Sequence, residues 1–423
     1  METMLRKAVH VAGVLAATAG FAIVVPAQGF AESVVVDWNA IAISTALATG
    51  QGPVPQTRSM AIVAVAVHDA VNAISKRYPT YDVMAPPPAA ASVDAAAAGA
   101  AYRALTILYP SQSGALDSAL AVSLVKYGIS VSDPAFWFGE SAAEQIVGIR
   151  LDDGAANAQF AYSAPGAGSA GVWVPTPPAN LTALLPGWGQ VRPWVLRAGW
   201  QFRPDEGPSL ASDQYTRDFN EVKEMGSLTS ATRTSEQTNI ARFWLTSAAV
   251  IWNGALRVVA VERGLDTSEA AHAFALVNLT GADAAIACWD AKFAFNFWRP
   301  ITAIRNADVD DNPSTSPDPA WVSLAPTPPF PEFTSGHTVI SAAMATMLGL
   351  MFGDDPGVTF TVSSPTNPGF TRTWSRFSAG IDEVIDARVW TGIHFRGSDV
   401  EGAKMGKHVA RFVFEHALRR VRR

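Results

Sequence analysis

Residues Lys292 to Pro300 read Lys-Phe-Ala-Phe-Asn-Phe-Trp-Arg-Pro and end an apolar, alanine-rich run that begins near Thr267. Because the run has no proline before Pro300, it predicts one long helix. In such a helix Lys292 and Arg299 would leave the same face, about 10 Å apart along the axis. Two cations on an apolar stripe require an anion or carboxylates nearby. The alternative is two side chains that reach the surface and pair with acids there.

The rest of the chain favours an all-α fold. Its 423 residues are enough for one large domain or two. Apolar residues make up 49% and charged residues 16%, which excludes a disordered chain. From Asp37 onward, apolar stretches of helical length alternate with proline-rich breaks, and strand signals are sparse. The formal net charge of −6 argues against general nucleic-acid binding.

Proline and glycine divide the chain into two predicted halves. Residues 163–209 are rich in both and predict a long irregular connection. We therefore expect an N-terminal helical bundle over residues 32–205 and a C-terminal catalytic bundle over residues 206–423.

The N-terminus is typical of a secretory signal peptide over residues 1–31. Arg6 and Lys7 precede an apolar segment, and small residues follow at Gly29 and Ala31. An uncleaved membrane anchor is the alternative. We expect an exported protein, periplasmic or secreted. The longest later apolar candidate, Thr338 to Phe352, is too short to cross a bilayer, so the mature protein should not span a membrane.

A second cluster of functional residues is Ser335-Gly336-His337, directly before that apolar run. Serine at an N-cap followed by glycine leaves backbone N–H groups pointing out of the helix start, where an anion can bind. His337 in the first turn can exchange protons near neutral pH. A capping serine and a first-turn histidine can equally be structural.

A third cluster is Arg388 and His394. The predicted helix through residues 381–390 should end near Gly392, and Ser398 with Glu401 predicts a capping box for the last helix. His394 would then lie in a short connection, where its ring can be aimed. Three cations, an exposed helix start and two histidines match a tetrahedral oxyanion, with one histidine bonding the central atom and the other moving protons. A metal cation would require several carboxylates, cysteines or histidines together.

The order Lys-x6-Arg-Pro, Ser-Gly-His and Arg-x5-His resembles the signature of the vanadium-dependent haloperoxidase and type 2 phosphatidic-acid phosphatase superfamily. Phe-Trp-Arg-Pro at residues 297–300 and Phe330-Pro331 are especially similar to soluble haloperoxidases. The chain departs from the signature at Thr334, where proline is usual, and at Ala387, where serine is frequent. The acid after the last histidine also stands one position late, at Asp399.

This resemblance implies an all-α fold of two packed helical bundles, like vanadium haloperoxidases and acid phosphatases. It implies that the oxygens of vanadate or phosphate are bound by Lys292, Arg299, Ser335, Gly336 and Arg388. His394 would bond the metal in vanadate, or act as the nucleophile in a phosphatase, and His337 would be the acid–base. Trp289 and Phe330 would flank the halide side of the site.

Two enzyme functions follow from the resemblance. The leading hypothesis is a vanadate-dependent haloperoxidase, whose small-molecule substrates are halide and hydrogen peroxide. The alternative is an exported acid phosphatase that acts on a phosphate ester through a phosphohistidine and needs no cofactor. A binding module for phosphate or vanadate, without catalysis, is a third possibility.

Overall fold

The computed structural model describes residues 33–419, and the predicted signal peptide lies outside them. The first half contains five helices: α1 (Val34–Ala48), α2 (Pro53–Ser75), α3 (Val93–Leu108), α4 (Ser113–Tyr127) and α5 (Pro134–Ile149). The second half contains α6 (Asp213–Met225), α7 (Ser235–Phe243), α8 (Ala248–Glu262), α9 (Thr267–Phe295), α10 (Pro300–Arg305), α11 (Gly336–Phe352), α12 (Phe377–Trp390) and α13 (Arg396–His416). The two strands β1 (Phe360–Ser363) and β2 (Thr371–Trp374) pair antiparallel between α11 and α12. The predicted all-α class is confirmed.

Helix α9 is the centre of the fold, and it ends earlier than the sequence predicts. Its last residue is Phe295, and Asn296 closes it in the left-handed conformation, with φ of 51° and an N–H bond to the carbonyl of Lys292. Asparagine tolerates this conformation better than most residues. Arg299 is the N-cap of α10, with Pro300 in the first turn. The prediction of one continuous helix was wrong, so Lys292 and Arg299 do not share a helix face.

The apolar residues of α9 from Ala270 to Ala291 are buried on all sides, and only the last turn reaches the surface, at Ala294. By length and composition this helix could cross a membrane, and α7 with α8 passes the same test only as a pair bent by 91°. From the sequence alone, the best candidate for a membrane-crossing segment was Thr338–Phe352 and not α9. The apolar window of α9 is completely buried inside the protein, as in the core helix of a globular protein. The main hydrophobic core extends from Val34 to Leu418 and crosses the boundary at residues 205 and 206. The division into two domains there stays a prediction.

Two buried aspartates attach loops to the central helices. Asp283 of α9 accepts hydrogen bonds from the consecutive amides of residues 194, 195 and 196, at 2.7, 2.8 and 2.9 Å. Asp69 of α2 does the same for residues 81, 82 and 83, at 2.6, 2.8 and 3.0 Å. The Asp283 contacts fix the loop that passes beside Trp289. In the same loop Gly189 lies directly on α9, because a Cβ at this position would stand 2.5 Å from the Cα of Asp290.

Helices α3 and α5 approach so closely that glycine is required at their crossing. A Cβ at Gly139 would stand 2.1 Å from the carbonyl oxygen of Ala96, and one at Gly99 would stand 2.1 Å from that of Phe136. We expect Gly139→Ala to lower the free energy of unfolding by about 1–3 kcal/mol, because the backbones must separate. Urea denaturation measures the change.

The matched control is Gly148→Ala in the same helix, where a Cβ meets no atom within 4 Å. This control should leave the free energy unchanged or raise it by up to about 1 kcal/mol, because alanine favours helix. Equal effects at Gly139 and Gly148 would contradict the close helix crossing.

His68 and His272 form a buried pair between α2 and α9. Their ring centroids are 5.5 Å apart, and His272 stacks on Tyr78 at 3.7 Å. Burial lowers the pKa of His68 to about 4, although the hydrogen bond to the carbonyl of Pro79 acts in the opposite direction. Burial, followed by the charge of His68, lowers the pKa of His272 to about 3. Both rings are therefore neutral in the folded protein at neutral pH.

This burial predicts a loss of stability in acid. Unfolding restores an ordinary histidine pKa near 6.5. Between that pH and the lower pKa of the folded state, the histidine binds a proton only in the unfolded chain. The free energy of unfolding therefore decreases as the pH falls through this window. From pH 6.5 to pH 5, His272 should remove about 2 kcal/mol. His272→Phe keeps the ring and should reduce the stability difference between these pH values by that amount in urea titrations. His416→Phe, exposed at the end of α13, is the control. An unchanged pH dependence in His272→Phe would contradict the assignment.

Candidate active site

The ends of four helices bring the predicted site residues together. Lys292 is in the last turn of α9, Arg299 precedes α10, and Arg388 is in the last turn of α12. Gly336 and His337 open α11, and His394 lies in the connection between α12 and α13. The Nη1 atom of Arg299 is 3.3 Å from Nε2 of His394. A Cβ at Gly336 would stand 3.8 Å from Cε of Lys292.

Lys292 is completely buried, and no carboxylate within residues 33–419 forms an ion pair with it. Its ammonium donates to the carbonyls of Pro331 and Glu332, both at 2.9 Å. An ammonium has three N–H groups, so one remains for a further acceptor. Burial lowers the pKa of Lys292 to about 7, with smaller effects from neighbouring charges. An anion at this position would favour the charged form.

Arg299 and Arg388 are also buried, and each has a nitrogen donor without an acceptor among residues 33–419. Arg299 donates to the carbonyls of Phe330 and Ile393 at 2.8 and 2.9 Å, while its Nη2 has no partner. Arg388 donates to the carbonyl of Trp244 at 2.8 Å, while its Nε has no partner. Burial lowers the pKa of Arg299 to about 9 and that of Arg388 to about 10. Unused donors on buried cations favour an anionic ligand.

The start of α11 supplies backbone donors to the same region. Ser335 is its N-cap, and the serine side chain does not cap the helix. The first amides of a helix have no intrahelical acceptor, so they can bind an anion. A Cβ at Gly336 would be 3.3 Å from the ring of Trp289, so a larger residue would press on that ring. These features agree with the predicted anion-binding helix start.

Asp399 is the acid that follows His394 one position later than in the family signature. Its carboxylate lies beneath the start of α11 and does not contact His394. It accepts a hydrogen bond from Thr338 at 2.8 Å and also contacts Ser335. Burial raises the pKa of Asp399 well above its ordinary value, while the Ser335 bond acts in the opposite direction. The predicted capping box at Ser398 was wrong, because α13 begins at Arg396 and the hydroxyl of Ser398 donates to the carbonyl of Glu332 at 3.5 Å. The carbonyl of Ser398 accepts from the amide of Ser335 at 3.3 Å.

His337 retains some exposed surface at the start of α11. Its Nε2 is 3.0 Å from the carbonyl of Thr246. A carbonyl can only accept, so Nε2 carries the proton of the neutral ring and Nδ1 is left as an acceptor. Burial first, and then the charge of Arg388, lower the pKa of His337 well below its ordinary value. A negative ligand among the cations would raise this pKa again.

Glu332 is a residue of the site that sequence reasoning missed. Its Oε1 is 2.8 Å from Nδ1 of His394 and 3.0 Å from the amide of Phe395. Burial raises the pKa of Glu332 to about 7, although Lys292 and Arg299 act in the opposite direction. The signal that could have found it is a single acid between Phe330-Pro331 and Ser335, in an otherwise uncharged segment.

Two aromatic rings form one wall of the site. The centroids of Trp289 and Phe330 are 4.9 Å apart. The ammonium of Lys292 lies 5.1 Å from the Phe330 ring and 5.9 Å from the Trp289 ring. Arg299 lies 4.8 Å from the Phe330 ring. Trp289 also lines a separate cavity of about 190 Å³, together with the ion pair of Arg203 and Asp290. Both predicted halide-side residues therefore stand beside the cations, and their role stays a prediction.

The donor set suits an oxyanion better than a metal cation. Among residues 33–419, no group of three or more histidine, cysteine, aspartate or glutamate side chains could hold a metal ion. The site instead combines buried cations, helix amides and His394. Its Nε2, beside the guanidinium donor of Arg299, can offer a lone pair to a central atom.

Comparison with known proteins gives one family. Residues 272–423 match the model of the VCPO second helical-bundle domain. A segment of 94 residues is 35% identical to vanadium chloroperoxidase of Curvularia inaequalis, and it covers 20% of this chain and only 15% of that protein.

The solved structures extend the likeness to most of the chain. A bacterial vanadium-dependent iodoperoxidase superposes with a TM-score of 0.79 and 26% identity, over 90% of this chain and 96% of that one. A bacterial vanadium-dependent chloroperoxidase in its holo form superposes with a TM-score of 0.66 over 86% of this chain and 92% of that one, and its 18% identity shows the fold alone. With the motif residues gathered at one site, residues 272–423 belong to the vanadium haloperoxidase superfamily, and the fold of its bacterial members extends over most of the chain.

Proposed function

We propose that this protein is a vanadate-dependent haloperoxidase, which oxidises a halide with hydrogen peroxide. One observation carries the proposal: the buried Lys292, Arg299 and Arg388 surround His394 without an ion pair to any carboxylate within residues 33–419. Glu332 and Asp399 act electrostatically on these cations without an ion pair, and burial still lowers the pKa of all three, so a further anion would stabilise their charges. The names of the similar proteins, an iodoperoxidase and a chloroperoxidase, support the same reaction class.

The donors present fit vanadate. Its oxygens would be held by the unused N–H groups of Lys292, Arg299 and Arg388 and by the amide of Gly336, with Ser335 as a further predicted contact. His394 would bond the metal through Nε2. Bound there, vanadate supplies a Lewis-acidic centre that activates peroxide toward halide. The protein supplies charge, orientation and proton transfer.

His337 is the group that we propose moves protons. Its Nδ1 is the acceptor nitrogen of the neutral ring, so it can take a proton from an incoming peroxide and later return it to the departing oxygen. The pKa of this ring is held low by burial and by the neighbouring cations. A bound anion offsets those cations and moves the pKa back toward the working pH, so the base strengthens when the ligand is present.

The wall of Trp289 and Phe330 is the side on which we propose that the halide is oxidised. Phe330 lies 5.1 Å from the ammonium of Lys292 and 4.8 Å from the guanidinium of Arg299. A weakly hydrated halide ion can approach ring edges, which carry partial positive charge. The choice among iodide, bromide and chloride is then a matter of how tightly this wall fits the ion.

The test is an assay of purified protein freed of vanadium with a chelator. Vanadate is added back in steps, with peroxide and iodide, bromide or chloride, from about pH 4 to 8, a window around the ordinary histidine pKa. We expect halogenation that saturates with vanadate and is inhibited by phosphate, because the two anions share shape and charge. Absence of halogenation with all three halides would overturn the proposal.

The alternative is a phosphatase, and the bond between His394 and Glu332 is compatible with it, because it leaves Nε2 of His394 free. A phosphohistidine nucleophile requires the same free Nε2. Hydrolysis of p-nitrophenyl phosphate by the same preparation, inhibited by vanadate, would support this alternative. A binding module would hold vanadate or phosphate and show neither activity.

We also propose that the protein is exported, on the sequence of residues 1–31 alone. Expression of the full chain with N-terminal sequencing of the product tests this. A mature N-terminus near residue 32 in the periplasm or medium is expected. Retention of Met1 in the cytoplasm would contradict it.

A further inference from the structure

We infer that Glu332 is the positioning residue of His394: its carboxylate fixes the proton on Nδ1 and so presents the lone pair of Nε2 to the bound oxyanion. The inference rests on the proposed function, because it takes Nε2 of His394 as the atom offered to the ligand. It holds equally for a metal bond and for phosphoryl transfer.

The contacts on the two ring nitrogens agree on one tautomer. Oε1 of Glu332 accepts from the amide of Phe395 at 3.0 Å, so this oxygen is an acceptor, and Nδ1 of His394 at 2.8 Å must be the donor. On the other side of the ring, Nη1 of Arg299 is 3.3 Å from Nε2. A guanidinium can only donate, so Nε2 must be unprotonated.

No other carboxylate within residues 33–419 can take this role. Asp399, five residues after His394, is also buried, but its side chain is bound to Thr338 and Ser335. The carboxylate on the histidine thus comes from the segment before α11, not from α13. The histidine and its carboxylate are 62 residues apart in the chain.

Glu332 also connects His394 to the cations through its main chain. Its carbonyl accepts from Lys292 at 2.9 Å, and its amide donates to the carbonyl of Phe297 at 2.9 Å. The side chain is completely buried, so the carboxylate has no alternative position in solvent. One residue therefore sets the distance between the ammonium of Lys292 and the ring of His394, as outer-shell groups do in metal sites.

The first test is the tautomer of His394 by ¹⁵N NMR at pH 8, in protein freed of vanadium and labelled on histidine. The His394 signals are those missing from His394→Gln. In the unsubstituted protein we expect a protonated Nδ1 and an unprotonated Nε2. Glu332→Met keeps the volume and removes the acceptor, so the two tautomers should mix. Glu332→Gln keeps an acceptor oxygen and should restore the original signals. Asp399→Asn is the matched control, and it should leave them unchanged.

The second test is the affinity for vanadate by calorimetry on the same variants. Loss of an outer-shell partner should weaken binding about 10- to 100-fold in Glu332→Met, with partial recovery in Glu332→Gln. Unchanged His394 signals and unchanged affinity in Glu332→Met would overturn the inference. If Glu332→Met does not fold, Glu332→Asp replaces it, because its shorter side chain withdraws the oxygen from Nδ1. The same mixing of tautomers and the same loss of vanadate affinity are expected. Absence of halogenation with the expected NMR result would instead reject the haloperoxidase proposal alone.

Discussion

His394→Ala is expected to abolish halogenation and to weaken vanadate binding by more than about 100-fold, because losing a direct ligand costs more than losing its outer-shell partner. Phosphate should behave differently. Its oxygens would still meet the unused donors of Lys292, Arg299 and Arg388, whose contacts do not depend on the imidazole except at one nitrogen of Arg299. We therefore expect phosphate affinity to change by less than about tenfold, roughly one hydrogen bond.

Calorimetric titration of vanadate and phosphate into the same preparation measures both effects. The control is His416→Ala, whose ring is exposed on the last turn of α13. Equal losses of affinity for vanadate and for phosphate would mean that His394 does not bond the metal and contributes only electrostatically. Unchanged vanadate affinity would remove it from the site.

His337→Ala is expected to lower the turnover number by about 10²- to 10⁴-fold, the range for a positioned acid–base group, while vanadate affinity changes little. Affinity is spared because His337 is not one of the cations and its ring is bonded to the carbonyl of Thr246. In the unsubstituted enzyme the neutral ring is the active form, so the rate should fall as pH decreases through the pKa of His337 in the complex. The variant should lose that limb of the pH profile.

Steady-state assays at saturating vanadate and peroxide, with the pH varied, measure both consequences. Turnover that is unchanged in His337→Ala would show that His337 is not the group that moves protons. A loss of turnover together with an equal loss of vanadate affinity would show that His337 holds the ligand and does not move protons.

The sequence predicted the all-α class from local patterns, and it named most of the residues that the structure brings together, whose roles stay predictions. The Ser-Gly-His motif is a helix start by its own chemistry, and the His394 connection is bounded by Gly392. The end of α9 was not predictable in the same way. Asn296 can continue a helix or cap it, and the bond between its backbone N–H and Lys292 occurs only in the folded chain.

Long-range partners account for the other differences. Glu332 lies 62 residues before its histidine, and no periodicity links the two. Ser398 and Glu401 have the spacing of a capping box, yet α13 begins at Arg396, which pairs with Glu221 and Asp386 on other helices. Asp399 likewise accepts a hydrogen bond from Thr338 and not from His394, which is nearer to it in sequence. Such choices are made by tertiary packing, which a single sequence does not encode in any short window.

The burial of α9 from Ala270 to Ala291 has a practical consequence for shortening the protein. A gene fragment that encodes only the segment from residue 206 would contain all the residues proposed for the site, and would look sufficient for catalysis. It would also strip α2 from α9 and leave uncovered the alanine-rich surface of the longest helix. Large exposed apolar surfaces cause association. We therefore expect such a fragment to accumulate in inclusion bodies.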